Sequence, residues 1–354
     1  MATVGAIRRE GSASRRAKDA IRNVCAGLYC RSGLNELLHR GKAVILVYHR
    51  VLRLEDLDES IQPGMYVLDD VFDQQMRFLK EAFEIVPLAD LLARWRTGVW
   101  DRRSRYCVIT FDDGWLDNYL FAYPVLRRYG IPATIFLPTA FIGTSAWFWW
   151  DELSYVLPRY WLTPRAKQTA AGLAQLSGRY PWLTQLDEQP TQERLHWIVE
   201  KFKSVPEHEI REWLEAARRA LSVEVPDQRI LMDWNEVGEM SAYGISFGSH
   251  SCTHRILTHL SSEEMRKELR DSLDCLRERR ISYVPVFCYP NGDFNREIVQ
   301  EVRRVGYEAA VSGRFGLESG SPDDLWRLKR IGVHNDVTGT TALFAWRMSG
   351  LPWV

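Results

Sequence analysis

Val108-Ile109-Thr110-Phe111-Asp112-Asp113-Gly114 reads as a short buried strand that ends in two carboxylates with a glycine behind them for the turn. Carboxylates at the carboxyl end of a strand are a chemical placement rather than a packing one. About 140 residues later, His250-Ser251-Cys252-Thr253-His254 follows a second strand-like stretch, Ile245-Ser246-Phe247-Gly248. The two histidines are four apart, which predicts one helical turn with both rings on one side, able to share an ion. Each run alone has an ordinary reading. Asp-Gly is a common turn, and a histidine pair at a helix start can be capped by Ser249, Ser251 and Thr253. Together, two strand ends deliver complementary ligands.

Working outward, Ala43 to Val47 is an uninterrupted apolar run closed by Tyr48-His49, the pattern of a fully buried parallel strand that carries a titratable group to its end. Phe72, Met76 and Leu79 have helical spacing, Phe83 to Val86 is strand-like, and a helix starts near Ala89. Leu116 to Tyr129 reads as helix closed by Gly130 and Pro132, with Ala133 to Leu137 the next strand. Beyond the histidine run, Ser261 to Glu264 opens a helix toward Arg280 whose Leu269, Leu273 and Leu276 face the core. A strand ending at Cys288-Tyr289-Pro290, a helix from Asn295 to Val305 closed by Gly306, and a strand from Glu308 to Val311 follow. Short buried strands alternating with helices predict an α/β parallel barrel.

At the level of motifs, the chain resembles the polysaccharide deacetylases, the NodB-homology group of carbohydrate esterases. Thr110-Phe111-Asp112-Asp113-Gly114 and His250-Ser251-Cys252-Thr253-His254 match that family's first two motifs, and Phe287-Cys288-Tyr289-Pro290-Asn291-Gly292 its third. The resemblance runs from about Lys42 to Asp336 and implies an incomplete (β/α)7 barrel. It also implies Asp112 as general base and Asp113, His250 and His254 as ligands of one divalent metal. The chain departs from the pattern in two ways. Many members hold the base with an arginine in the third motif, which is absent here; Arg330, in the strand-like Trp326 to Val333, is the candidate, with a plain structural or surface arginine the other reading. Many also carry a late Leu-x-x-His acid, where this chain has only Val333-His334. The permuted poly-N-acetylglucosamine deacetylases use a Tyr-His after the first strand, so His49 is the first choice of general acid and His334 the second.

Mixed imidazole and carboxylate ligation suits zinc, with cobalt or nickel as alternatives, and leaves open positions for water and a substrate oxygen. A backbone N–H around Tyr289 is the expected further donor to a developing oxyanion. The expected reaction is hydrolysis of the N-acetyl group of an N-acetylhexosamine in a glycan, polysaccharide precursor or glycolipid. Two other classes stand beside it: a catalytically silent glycan-binding protein on the same fold, and an amidase or deformylase acting on a smaller C–N substrate.

The 354 residues carry 46 Lys or Arg against 46 Asp or Glu, and this zero balance gives no electrostatic case for nucleic acid. Six cysteines lack the close pairing of a structural zinc site; Cys107 and Cys288 read as core, and Cys252 as a spectator facing away from the ion. Residues 1–41 form a basic segment, with Ala20, Ile21, Val24, Leu28, Leu34, Leu37 and Leu38 along one or two amphipathic helices. No long apolar run is present there, so neither a signal peptide nor a membrane span is expected. The expected location is cytoplasmic, with either docking on the catalytic domain or peripheral contact with an anionic inner membrane face. The barrel is assigned to 42–144 and 240–336, a mostly helical insertion to 145–239, and a C-terminal helix or tail to 337–354. The insertion opens with Trp147-Phe148-Trp149-Trp150, either core aromatics or a wall for sugar rings.

Overall fold

The computed structural model describes residues 13–57, 61–162, 180, 182 and 191–351. The expectations for the first 12 residues and for 352–354 lie outside this set.

Ten strands organise the described residues: β1 (Lys42–Tyr48), β2 (Arg50–Leu52), β3 (Tyr66–Leu68), β4 (Glu84–Ile85), β5 (Arg105–Phe111), β6 (Ala133–Leu137), β7 (Ile245–Ser249), β8 (Tyr283–Cys288), β9 (Ala309–Phe315) and β10 (Leu328–Gly332). Seven of them form a ring in the order β1-β10-β9-β8-β7-β6-β5, and β5 returns to β1 through parallel pairs from Lys42↔Arg105 to Tyr48↔Phe111. β4 hangs on β5 beside the ring, and β2 and β3 make a separate parallel pair. The architecture is thus a (β/α)7 parallel barrel.

The strand period of two sorts the side chains. Ala43 and Ile45, Tyr106 and Val108, Val284, Val286 and Cys288, and Ala309 and Val311 turn into one buried cluster. The alternate residues Phe287, Tyr289 and Ala310 pack outward against Leu269, Leu273, Ile298 and Val302 of the Ser262–Glu278 and Arg296–Val305 helices. Gly248 allows this wall to close, because a Cβ there would lie 2.5 Å from the Phe136 ring. Helix starts follow their caps: Ser261 and Glu264 form a reciprocal capping box, and Asn295 accepts from the Ile298 amide.

One boundary moves and two helical expectations gain detail. The stretch from Leu116 to Tyr129 is helical as expected, with a π-helix over Asn118–Ala122 ahead of the Tyr123–Tyr129 α-helix, since Pro124 has no N–H to continue a regular ladder. A second compact unit comprises residues 145–228 with 56–63, so the insertion ends before Arg229 rather than at Glu239. The reason is local: the Trp234–Ala242 helix buries Val237 and Met240 as the crossover leading into β7. Of the helix or tail expected after 337, the structure has a helix, Thr341–Met348, which buries Leu343, Phe344, Ala345 and Met348. Within the second unit, the helices Trp149–Leu162, Gln192–Phe202 and Glu207–Leu221 enclose a core of Leu153, Ile198, Phe202, Trp213 and Leu214. Trp149 belongs to that core, and Trp150 stacks on the buried Phe148 ring at 4.4 Å.

Candidate active site

β5 and β7 flank β6 in the ring, and the loops after them bring Asp113, His250 and His254 together. The Nε2 atoms of the two histidines are 3.1 Å apart, and Asp113 Oδ1 lies 3.4 Å from that of His250 and 3.1 Å from that of His254. Ligands at about 2.0–2.1 Å around a tetrahedral ion are separated by about 3.3–3.4 Å, so these three atoms are spaced as edges of one coordination shell. Asp113 Oδ1 is buried and takes no protein hydrogen bond, which a cation would remedy. The residues fit a divalent metal. His250 Nδ1 meets the Cys288 carbonyl at 2.9 Å; donating its proton there leaves Nε2 free to ligate.

The histidines do not share a helical turn. Residues 250–254 form a loop in which Ser251 (φ 62°) and His254 (φ 59°) are left-handed, as is Asp113 (φ 73°). Such backbone costs on the order of 1–3 kcal/mol per residue and persists where the surroundings impose it. Glu268, from the Ser262–Glu278 helix, imposes it here by accepting from the amides of Cys252 and Thr253 at 2.9 and 2.8 Å. The rings converge through this loop instead of through i,i+4 geometry.

Asp112 points to a different partner. Both its oxygens accept from Arg330, at 2.7 and 2.8 Å, and both residues are about 5% exposed. Burial alone would raise the carboxyl's pKa, but the Arg330 guanidinium, aided by the charge of His250, holds it below the usual carboxylate range. Asp113 is likewise lowered, the two imidazoles beside it outweighing burial. Burial and then the charge of the adjacent His250 lower the pKa of His254, whereas for His250 burial is outweighed by Cys288 and Asp113, which raise its pKa well above the usual imidazole value. Cys288 is more than core: its Sγ sits 3.4 Å from Asp112 Oδ2 and 3.2 Å from Arg330. Asp112, His250 and Cys288 would pass as a ligand trio by distance, but the guanidinium against both Asp112 and Cys288 makes a second cation there repulsive. Cys252 is in neither group of potential ligands.

His49 follows β1 directly, and its neighbour Tyr48 pairs with Phe111, so His49 and Asp112 leave adjacent strands at the same level. The Asp112 amide donates to the Tyr48 carbonyl at 3.0 Å, and Asn118 holds the His49 carbonyl at 2.8 Å. His49 is a partly buried residue, and its charge lowers the pKa of both aspartates. His334 lies beyond β10 with Nδ1 paired to Asp336. The Tyr289 amide is directed to the Val311 carbonyl at 3.3 Å, and its hydroxyl donates to Trp326 O under the outer helices. Arg330, the candidate for holding the base, makes its two hydrogen bonds to Asp112.

Two supports escaped the sequence reading. Trp115 donates from Nε1 to Asp113 Oδ2 at 3.0 Å, under the guanidinium of Arg50 at 4.5 Å from its ring. The buried Asp117 in turn accepts from Arg50 at 2.8 Å and from the Val51 amide at 2.9 Å, tying β2 to the start of the helix after β5. An indole two residues past a carboxylate was the available signal, though nothing local says which way it turns.

The chain is similar to a "Putative polysaccharide deacetylase YxkH" of Bacillus subtilis, 23% identical over 238 residues, which are 67% of this chain and 55% of that one. It is also similar to the Staphylococcus epidermidis poly-beta-1,6-N-acetyl-D-glucosamine N-deacetylase, 32% identical over 115 residues, 30% of this chain and 39% of that one. The matched region thus spans about half or less of these relatives' length. Among solved structures, the Streptococcus pyogenes deacetylase PplD in complex with acetate has a TM-score of 0.54 at 18% identity, covering 88% of this chain and 99% of that chain. IcaB from Ammonifex degensii has a TM-score of 0.52 at 16% identity, covering 86% and 97%. At these identities the structures speak to the shared fold. The polysaccharide deacetylase family model matches residues 101–310, from β5 and its aspartates through the histidine loop to β9, and the chain belongs to that family.

Proposed function

We propose that this protein is a zinc-dependent N-deacetylase acting on an N-acetylhexosamine of a glycan or glycolipid, with cobalt or nickel able to replace zinc. The observation that carries the reading is the division of labour between adjacent carboxylates: Asp113 faces two imidazoles and Asp112 faces a guanidinium. Asp113, His250 and His254 would hold the ion, which supplies Lewis acidity and makes water a usable nucleophile near neutral pH. Asp112, kept ionised by Arg330, takes the proton as the water oxygen bonds to the acetyl carbon. His49, as imidazolium, gives a proton to the nitrogen as the C–N bond breaks, releasing acetate and a free amine. His49 follows the strand paired with that of Asp112, and its charge acts on both aspartates, which supports it over His334 for this step. The hexosamine is supported by the name of the S. epidermidis relative.

Acetate release from N-acetylated oligosaccharides and lipid-linked sugars, with zinc, cobalt or nickel added, tests the reading. Activity abolished in Asp112→Asn and His49→Ala and retained in His334→Ala is the expected result. Loss in His334→Ala with retention in His49→Ala would overturn the acid assignment. Glycan binding without acetate release by the wild type would mark a silent binding protein.

A further inference from the structure

We propose that the outer face of the Ala13–Arg31 helix docks on an anionic lipid bilayer surface. The helix is fastened to the barrel unit by one side. Ala26 and Tyr29 are buried, the Tyr29 ring meets Trp346 edge-on at 5.4 Å, and Arg22 donates to the Asp336 carbonyl at 3.3 Å. The opposite side carries Ile21, Val24 and Leu28 at i, i+3 and i+7, and these are 54%, 63% and 65% exposed. The following short helix, Leu34–His39, adds Leu34 at 46% and Leu37 at 66%. Five large aliphatic side chains exposed within 17 residues are more than ordinary surface scatter.

Charge selects the occupant. Residues 13–42 carry seven basic groups (Arg15, Arg16, Lys18, Arg22, Arg31, Arg40, Lys42) against Asp19 and Glu36, a balance of +5 in a chain whose total is zero. Glu36 is itself paired with Arg105, while Arg31 and Arg40 are exposed. An apolar stripe flanked by arginines matches the boundary between headgroups and acyl chains of an anionic leaflet. A second copy is the poorer occupant, because a two-fold contact would bring two +5 segments together. Among the described residues no helix is long and apolar enough to cross a membrane, so the helix lies on the surface.

Vesicle co-sedimentation of the full chain tests this, using phosphatidylcholine with and without about a third phosphatidylglycerol at low and high salt. Binding is expected on the anionic vesicles, weakened at least about tenfold by salt, by neutral lipid, or by the triple change Ile21→Gln, Val24→Gln and Leu28→Gln. The triple variant should keep the wild-type melting temperature and acetate release from a water-soluble substrate, since these side chains touch neither core nor site. Undiminished vesicle binding by that variant, or equal binding to neutral vesicles, would overturn the proposal. So would an absence of vesicle binding, whether the wild type is monomeric or forms a dimer in sedimentation velocity that the triple change abolishes.

Discussion

Replacing Arg330 by Met tests the arrangement of the base most directly. The guanidinium and the Asp112 carboxylate make two hydrogen bonds of 2.7 and 2.8 Å inside the barrel mouth. Met keeps most of the side-chain volume and removes both donors, stranding a carboxylate that is 3% exposed. Removing one partner of such a pair costs about 3–5 kcal/mol, since the orphan charge must be neutralised or solvated. Asp112 has a folded pKa below its unfolded value, so its contribution to stability is present above about pH 4 and is lost as pH falls. Without Arg330, burial dominates and the carboxyl pKa rises. The acid limb of kcat/KM then moves to higher pH, and the loss of stability relative to wild type is largest near neutrality. Urea unfolding at pH 7 and a pH–rate profile of acetate release measure both effects. The double variant Asp112→Asn with Arg330→Met should recover much of the lost stability, because no buried charge remains. A loss under about 1 kcal/mol with an unmoved acid limb would refute the idea that Arg330 holds the base.

Trp115→Phe, which keeps an aromatic side chain and removes the indole N–H donor to Asp113, should weaken zinc affinity about 10–100-fold in chelator competition while leaving the fold intact by circular dichroism. Glu268→Ala strands the amides of Cys252 and Thr253; a loss of about 1–3 kcal/mol in urea unfolding is expected, with weaker metal retention, and wild-type values for both would contradict its role. Gly248→Ala places a methyl 2.5 Å from the Phe136 ring and should cost about 1–3 kcal/mol, read as a lower melting temperature.

Much of the barrel was legible because each strand is a short apolar run bounded by turn residues, as in Ala43 to Val47 and Val108 to Phe111. The upper limit of the insertion was not. The pattern that made Ile198, Val199 and Phe202 a helical face continues in kind through Val237 and Met240, and only packing tells which helix belongs to which core. The four-residue spacing of His250 and His254 suggested a helix for the same reason: spacing is local, whereas the left-handed turn depends on Glu268 reaching over from a later helix.

Residue types pointed to the donor set, two aspartates and two histidines at the ends of buried runs, because carboxylates and imidazoles supply the basicity and ligand atoms that a metal site needs. Tertiary structure decided how the donors are divided. Whether a carboxylate meets a guanidinium or an imidazole pair depends on which strand is its neighbour and which side of the pleat its supports occupy. Arg330 lies 218 positions from Asp112 and reaches it through the closure of the ring between β1, β5 and β10. Cys288 and Tyr289 differ by one residue, and the strand period sends the first to the base and the second beneath the outer helices.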